Sequence, residues 1–241
     1  MKVQEILSPS FASVRKAACT SLVAQCRADM FDFFVPVLNA GLLTAEQMAR
    51  ACRRYLLGRS KSGRCIFWLI DQQGHVRDGR LADTWVSQLL KAREPQLLSD
   101  WHTTHCLFGL QVLSTSNDSL PVCVVESAAS AVMLSELFPD QVWLATVCPD
   151  NATVDRFTVL RGYTVSIIPH TDTTMSNYIS WLELADTLRR TYHLDIRCNP
   201  ILEDNATAEQ KQRNIDLLDF YLESVQKASL FNPNSAPFQP E

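Results

Sequence analysis

Glu126 follows the wholly apolar run Val-Cys-Val-Val at 122–125, and His170-Thr171-Asp172 follows a second apolar run at 165–168. Two carboxylates at the ends of neighbouring strands suffice to hold one hard cation. Mg²⁺ prefers carboxylate oxygens and keeps several of its waters, and Mn²⁺ substitutes for it. Held against a phosphate, such an ion stabilises the charge that develops in phosphoryl transfer. The same acids have a second use. Each precedes a helix-forming stretch, where a carboxylate accepts free backbone amides and complements the helix dipole. Spacing alone leaves both uses open.

The elements that position these residues are legible around them. Residues 122–125 are apolar throughout, as a strand buried on both faces requires. Residues 127–137 read as a helix, 142–147 and 165–168 as strands, 176–192 as a helix and 194–198 as a fourth strand. Strand, helix, strand, strand, helix, strand is an α/β pattern, and its ligands bind beyond the carboxyl ends of the strands. Residues 207–228 read as one amphipathic helix with Ile215, Leu218, Tyr221 and Leu222 inward.

The first half is more varied. Residues 11–28 have near-helical periodicity. Thr44-Ala-Glu-Gln47 is a capping box opening a helix over 45–57, with Gly58 as its C-cap. Residues 65–70 and 75–79 flank a Gly-containing turn and predict a hairpin. His102, His105 and Cys106 have metal-ligand residue types but no fourth ligand near them, and the two histidines read as surface or turn residues. Trp68 and Trp143 lie in apolar strands and read as core, while Trp101 and Trp181 are candidates for stacking on a base.

With 46% apolar and 20% charged residues, the 241-residue chain has ample material for a core and does not read as disordered. It lacks a signal-like or membrane-spanning apolar run, so a cytoplasmic protein away from the membrane is expected. None of the eight cysteines is spaced as C-x-x-C, which argues against a zinc ribbon. Net charge is −4, unevenly spread. Residues 1–94 carry 14 Lys/Arg against 8 Asp/Glu, and residues 95–241 carry 8 against 18. The densest basic run, Arg50, Arg53, Arg54, Lys61 and Arg64 with Arg59, suits either nucleic-acid phosphates or a solvated face.

The run VCVVESAASAVMLSELFPDQVWLATV, followed by LRGYTVSIIPHTD and Trp181, resembles a Toprim-type domain. More narrowly, it resembles the Toprim-like, primase-derived proteins of bacterial mobile elements. Tyr55-Leu-Leu-Gly58, Phe67-Trp-Leu-Ile-Asp71, Gly74-His-Val-Arg-Asp-Gly79, His105-Cys-Leu-Phe-Gly109 and Asp216-Leu-Leu-Asp219 extend the resemblance over about residues 31–222. It implies a Toprim-like parallel sheet flanked by helices at 116–228. A smaller α+β, primase-core-like subdomain would precede it at 1–115, and a tail would follow at 229–241. It further implies Mg²⁺ bound by an acid triad, single-stranded DNA or RNA as partner, and primase- or nuclease-like phosphotransfer. Glu126 matches the first acid and Asp172 the last. His170 stands where another Asp belongs, and a neutral imidazole is a poor Mg²⁺ ligand. The resemblance therefore carries two functional expectations: a metal-dependent site on Glu126, His170 and Asp172, or a catalytically inactive Toprim-like binding or regulatory module.

Overall fold

A computed structural model of the chain describes residues 31–60, 63–93, 104–113 and 119–231. The periodic stretch at 11–28, Lys61, Trp101, His102 and the Pro-containing end at 232–241 lie outside the described residues. After a 3-10 turn at Asp32–Phe34 come α1 (Val35–Asn39) and α2 (Ala45–Arg54). The predicted capping box forms: Thr44 Oγ1 accepts from the Gln47 amide at 3.2 Å, and Gln47 Oε1 accepts from the Thr44 amide at 2.8 Å. Met48, Ala51, Cys52 and Tyr55 are wholly buried along one face of this helix.

The helix ends differently from the expectation. Leu56, not Gly58, takes the left-handed conformation, with φ 54°. Gly58 instead opens β1 (Gly58–Arg59), the edge of an antiparallel sheet completed by β2 (Cys65–Ile70), β3 (Val76–Leu81) and β4 (Thr84–Trp85). Its reason for being glycine is close approach. A Cβ at Gly58 would run into Trp68 Nε1, and one at Gly79 would stand 2.7 Å from Trp68 Cε3. The two glycines make room for the indole from neighbouring strands. The predicted hairpin is β2–β3. Its turn is closed by Asp71, which accepts from the His75 amide and from Arg77 Nε, each at 2.7 Å. One face of this sheet forms a small core with α3 (Val86–Arg93), built on Ile66, Trp68, Leu81 and Leu90. The other face joins the main core through Phe67 and Leu69.

Residues 105–108 form a strut between the two sheets. Phe108 and Ala145 exchange both backbone hydrogen bonds, at 2.8 and 3.1 Å, and Phe67 meets the Phe108 ring edge-on. After the short α4 (Leu110–Leu113) come β5 (Val122–Val125), α5 (Ala128–Leu137), β6 (Val142–Ala145), α6 (Val154–Phe157), β7 (Thr164–Ile167), α7 (Ser176–Tyr192) and β8 (Asp195–Cys198), the predicted α/β order with the one-turn α6 added between the second and third strands. The four strands are parallel, in the order β6-β5-β7-β8. The chain leaves β5 for β6 on one side and returns to β7 on the other. Right-handed crossovers in opposite directions set α5 and α7 on opposite faces. The reversal opens a crevice at the carboxyl ends of β5 and β7. Trp143 and Trp181 are buried, at 1% and 4% exposure, so Trp181 is core rather than a stacking platform.

The C-terminal helix expected over 207–228 is interrupted. After α8 (Ile201–Asn205), α9 (Ala208–Gln212) stops at Asn214, whose φ of 51° turns the chain before α10 (Leu217–Phe231). The break lets Asp216 stand at the start of α10 and Ile215 receive an amide bond from Thr171, which ties this corner to the end of β7.

An ion-pair cluster joins α2 to α5. The Glu136 carboxylate, its side chain 2% exposed, accepts from Arg50 Nη2 at 2.5 Å and Arg54 Nη2 at 2.8 Å. Arg54 Nη1 also donates to the Ser135 carbonyl at 3.2 Å. Alanine at 136 would leave two guanidiniums facing each other without the acid that holds them. Glu136→Ala is expected to lower Tm by about 5 °C in a thermal melt followed by circular dichroism.

Candidate functional site

The crevice at the switch point is a cleft of about 300 Å³. Glu126, Ser127 and His170 line it from the parallel sheet, and Phe67 and Arg80 line it from the antiparallel sheet. Because β5 and β7 are paired, their ends are neighbours. Glu126 Oε1 lies 3.4 Å from the His170 amide, and the Glu126 side chain is half-buried in the cleft. Ser127 caps α5, its hydroxyl accepting from the Ser130 amide at 3.2 Å. The capping role considered for Glu126 therefore belongs to the serine after it. Val147, on the loop leaving β6, also lines the cleft and holds φ 62°, an outlier for a β-branched residue.

Asp172 does not face this cleft as a free ligand. Its Oδ1 accepts from the Thr174 amide at 2.7 Å, Thr174 Oγ1 at 2.5 Å and the Ser176 amide at 3.2 Å. Its Oδ2 accepts from Ser176 Oγ at 3.0 Å and the Asn177 amide at 2.8 Å. Burial opposes its ionisation, but the bonds from Asn177, Thr174 and Ser176 outweigh that and hold the carboxyl far below the usual carboxylate range. Of the two uses open to Asp172 in the sequence, the geometry realises the cap of α7.

His170 turns toward Asp216 instead. Its Nε2 is buried without a hydrogen-bond partner and stands 4.0 Å from Asp216 Oδ2. Asp216 accepts from the Ser130 hydroxyl through Oδ2 and from the Asp219 amide through Oδ1 at 2.9 Å. Glu126, His170 and Asp172 thus point to different partners. Among the described residues no group of three or more His, Cys, Asp or Glu side chains is disposed to hold a metal ion. The donor set expected for Mg²⁺ does not fit one ion here, since Asp172 has no lone pair left facing the cleft.

The basic run is also distributed otherwise than expected. Arg50 and Arg54 are engaged by Glu136, Arg53 and Arg64 are exposed, and Lys61 lies outside the described residues. Glu136 sits at the far end of α5 from Glu126, some ~15 Å along the helix. Arg50 and Arg54 therefore stand away from the cleft. The cation that lines the cleft is Arg80, which sequence reading missed. Strand alternation was the signal available for it. Arg80 lies across from Phe67 on β2 and from Trp85 on β4, so the three form one row across the sheet. The Arg80 guanidinium carbon lies 4.8 Å from the Trp85 ring centroid.

The model of the family described as Domain of unknown function (DUF6371) matches residues 32–171, more than half of the chain, and the chain belongs to that family. No curated protein matches it. Among solved structures it is similar to the primase fragment of the bacteriophage T7 primase-helicase protein, with a TM-score of 0.39 and 13% identity. That match covers 62% of this chain and 59% of the phage chain, so this chain spans less than two thirds of its length. No helix among the described residues is long and apolar enough to cross a membrane.

Proposed function

We propose that the chain is a Toprim-like module that binds single-stranded nucleic acid in the cleft between its two sheets and does not carry out metal-dependent phosphotransfer. The observation that carries this reading is the state of Asp172. The acid that the Toprim resemblance assigns to metal accepts five hydrogen bonds, three from Ser176 and Asn177 at the start of α7 and two from Thr174 in the turn before it. Histidine at 170 removes another negative charge from the expected set. What remains is a cleft with an aromatic residue, an arginine, the amide end of a helix and two carboxylates, Glu126 and Asp83; the aromatic face and the arginine suit an unstacked base and a single backbone phosphate.

Fluorescence anisotropy with a labelled single-stranded oligonucleotide tests the binding. Affinity is expected to fall linearly with salt on logarithmic axes, with a slope of about −0.7 per phosphate neutralised. It is expected to be indifferent to EDTA. Calorimetric titration with Mg²⁺ or Mn²⁺ is expected to give no stoichiometric heat. Primer synthesis or nuclease activity that needs a divalent ion and disappears in Glu126→Ala would overturn the reading.

A further inference from the structure

His105 stands outside the cleft, yet the contacts around it lead there. Asp78, wholly buried on β3, accepts from the Gly79 amide at 2.7 Å and the Ser87 amide at 3.0 Å through Oδ1. Its Oδ2 accepts from Ser87 Oγ at 2.5 Å and faces His105 Nε2 at 2.9 Å. Every other group at this carboxylate is a donor, so His105 Nε2 is assigned the proton. The imidazole so fixed lies against Trp85, ring centroids 3.9 Å apart and planes tilted by 32°. Trp85 in turn carries Arg80.

We infer that His105 is a positioning residue: anchored by Asp78, it holds the Trp85 indole in the place from which Arg80 is presented to the cleft. The inference rests on the nucleic-acid reading above for the use made of Arg80, and on geometry alone for the device itself. Three features support it. Arg80 has no carboxylate partner among the described residues, so the indole is what orients its guanidinium. Arginine is well suited to this role, since its plane stacks on an aromatic face while its edge keeps donors for a phosphate. His105 also begins the strut whose other end, Phe108, is bonded to Ala145 on β6. The histidine therefore fixes Arg80 relative to the parallel sheet across the cleft, not only within its own sheet. Negative charges from Glu126 and Asp83 in the same cleft disfavour a free polyphosphate. They leave a strand that places single phosphates at Arg80 as the better fit.

The test combines a readout without nucleic acid and one with it. In ¹⁵N-labelled protein the Arg80 Nε–Hε signal is expected to carry a ring-current shift from Trp85. That shift should collapse in His105→Ala and return in part in His105→Gln, which can still donate to Asp78. An Arg80 signal that does not move in His105→Ala overturns the device, whatever the protein binds. For binding, Arg80→Ala is expected to weaken the oligonucleotide complex about tenfold and to reduce the salt slope by about 0.7. The Arg80→Ala/His105→Ala double variant should be no weaker than Arg80→Ala, because the histidine acts through the arginine. Additive losses in that cycle overturn the inference. Absence of oligonucleotide binding by the wild type sinks the functional reading instead, and the Arg80 signal still decides the device. ATP in place of the oligonucleotide is expected to bind no more tightly than inorganic phosphate; tight ATP binding lost in Arg80→Ala would overturn the choice of ligand. Arg190→Ala, on an exposed pair with Asp186, controls for net charge and should leave binding as in the wild type.

Discussion

Asp78→Ala is expected to cost about 4 kcal/mol of stability, the largest loss from any single substitution considered for this chain. The carboxylate is wholly buried and four donors converge on it. Removing it strands the Gly79 and Ser87 amides and the Ser87 hydroxyl without an acceptor. Each such group costs roughly 1–3 kcal/mol when left unsatisfied, and the sum is reduced by relaxation and entering water. Asp78→Asn should cost about half as much. It keeps an acceptor for the two amides but sets an NH₂ group against the donors on the other side. Urea denaturation followed by tryptophan fluorescence measures both. Equal stability of wild type and Asp78→Ala would mean that the network is not what joins β3, α3 and the strut.

That network shows what single-sequence reading reaches and what it does not. The parallel strands were legible because burial on both faces forces runs such as Val122–Val125 to be apolar throughout. The capping box at Thr44 was legible because its two partners are three residues apart. Asp78 was not, because its histidine partner is 27 positions away and nothing local marks the pair. The same holds for Glu136, whose arginines lie more than 80 residues upstream. Read as a helix face, Arg50 and Arg54 were candidates for phosphate contact; a distant buried acid gives them another use. His105, read as a surface or turn residue, is half-buried between Asp78 and Trp85. The break at Asn214 was hidden for a different reason. The apolar periodicity runs through it, and only a positive φ in a residue that tolerates one reveals the turn.

At the candidate site the sequence narrowed the choice and the geometry made it. Glu126 and His170 do come together at the switch point, as strand-end residues in this topology should. Asp172 was open to two uses, and Thr174, Ser176 and Asn177 supply the donors for the second. Two of its five donors are the Thr174 and Ser176 hydroxyls; without them and without the turn that aims the three amides at it, the same aspartate would have kept its lone pairs for a cation. The difference between an acid that binds metal and one that caps a helix therefore resides in the next five residues rather than in the acid.

Asp172→Ala separates those two uses experimentally. As a cap, the carboxylate satisfies two amides and a hydroxyl at the start of a 17-residue helix and an amide and a hydroxyl of Thr174 just before it, so its loss is expected to cost about 2–3 kcal/mol at pH 7. The cost should depend on pH in one direction. The carboxyl titrates well below the ~3.9 of an aspartate in the unfolded chain. A group depressed in this way contributes its stabilisation fully above the unfolded value, and loses it as pH falls toward the folded one. The gap between wild type and Asp172→Ala should therefore be constant from pH 7 to about pH 5 and narrow steadily below about pH 4. Asp172→Asn should recover part of the loss at pH 7 and show no such narrowing relative to alanine. Glu126→Ala, which removes a single long bond, should move stability little at any pH. If Asp172→Ala left stability unchanged at pH 7 while abolishing a divalent-ion heat, the acid would be a ligand after all. A cap gives the opposite pair of results, and both come from the same two instruments.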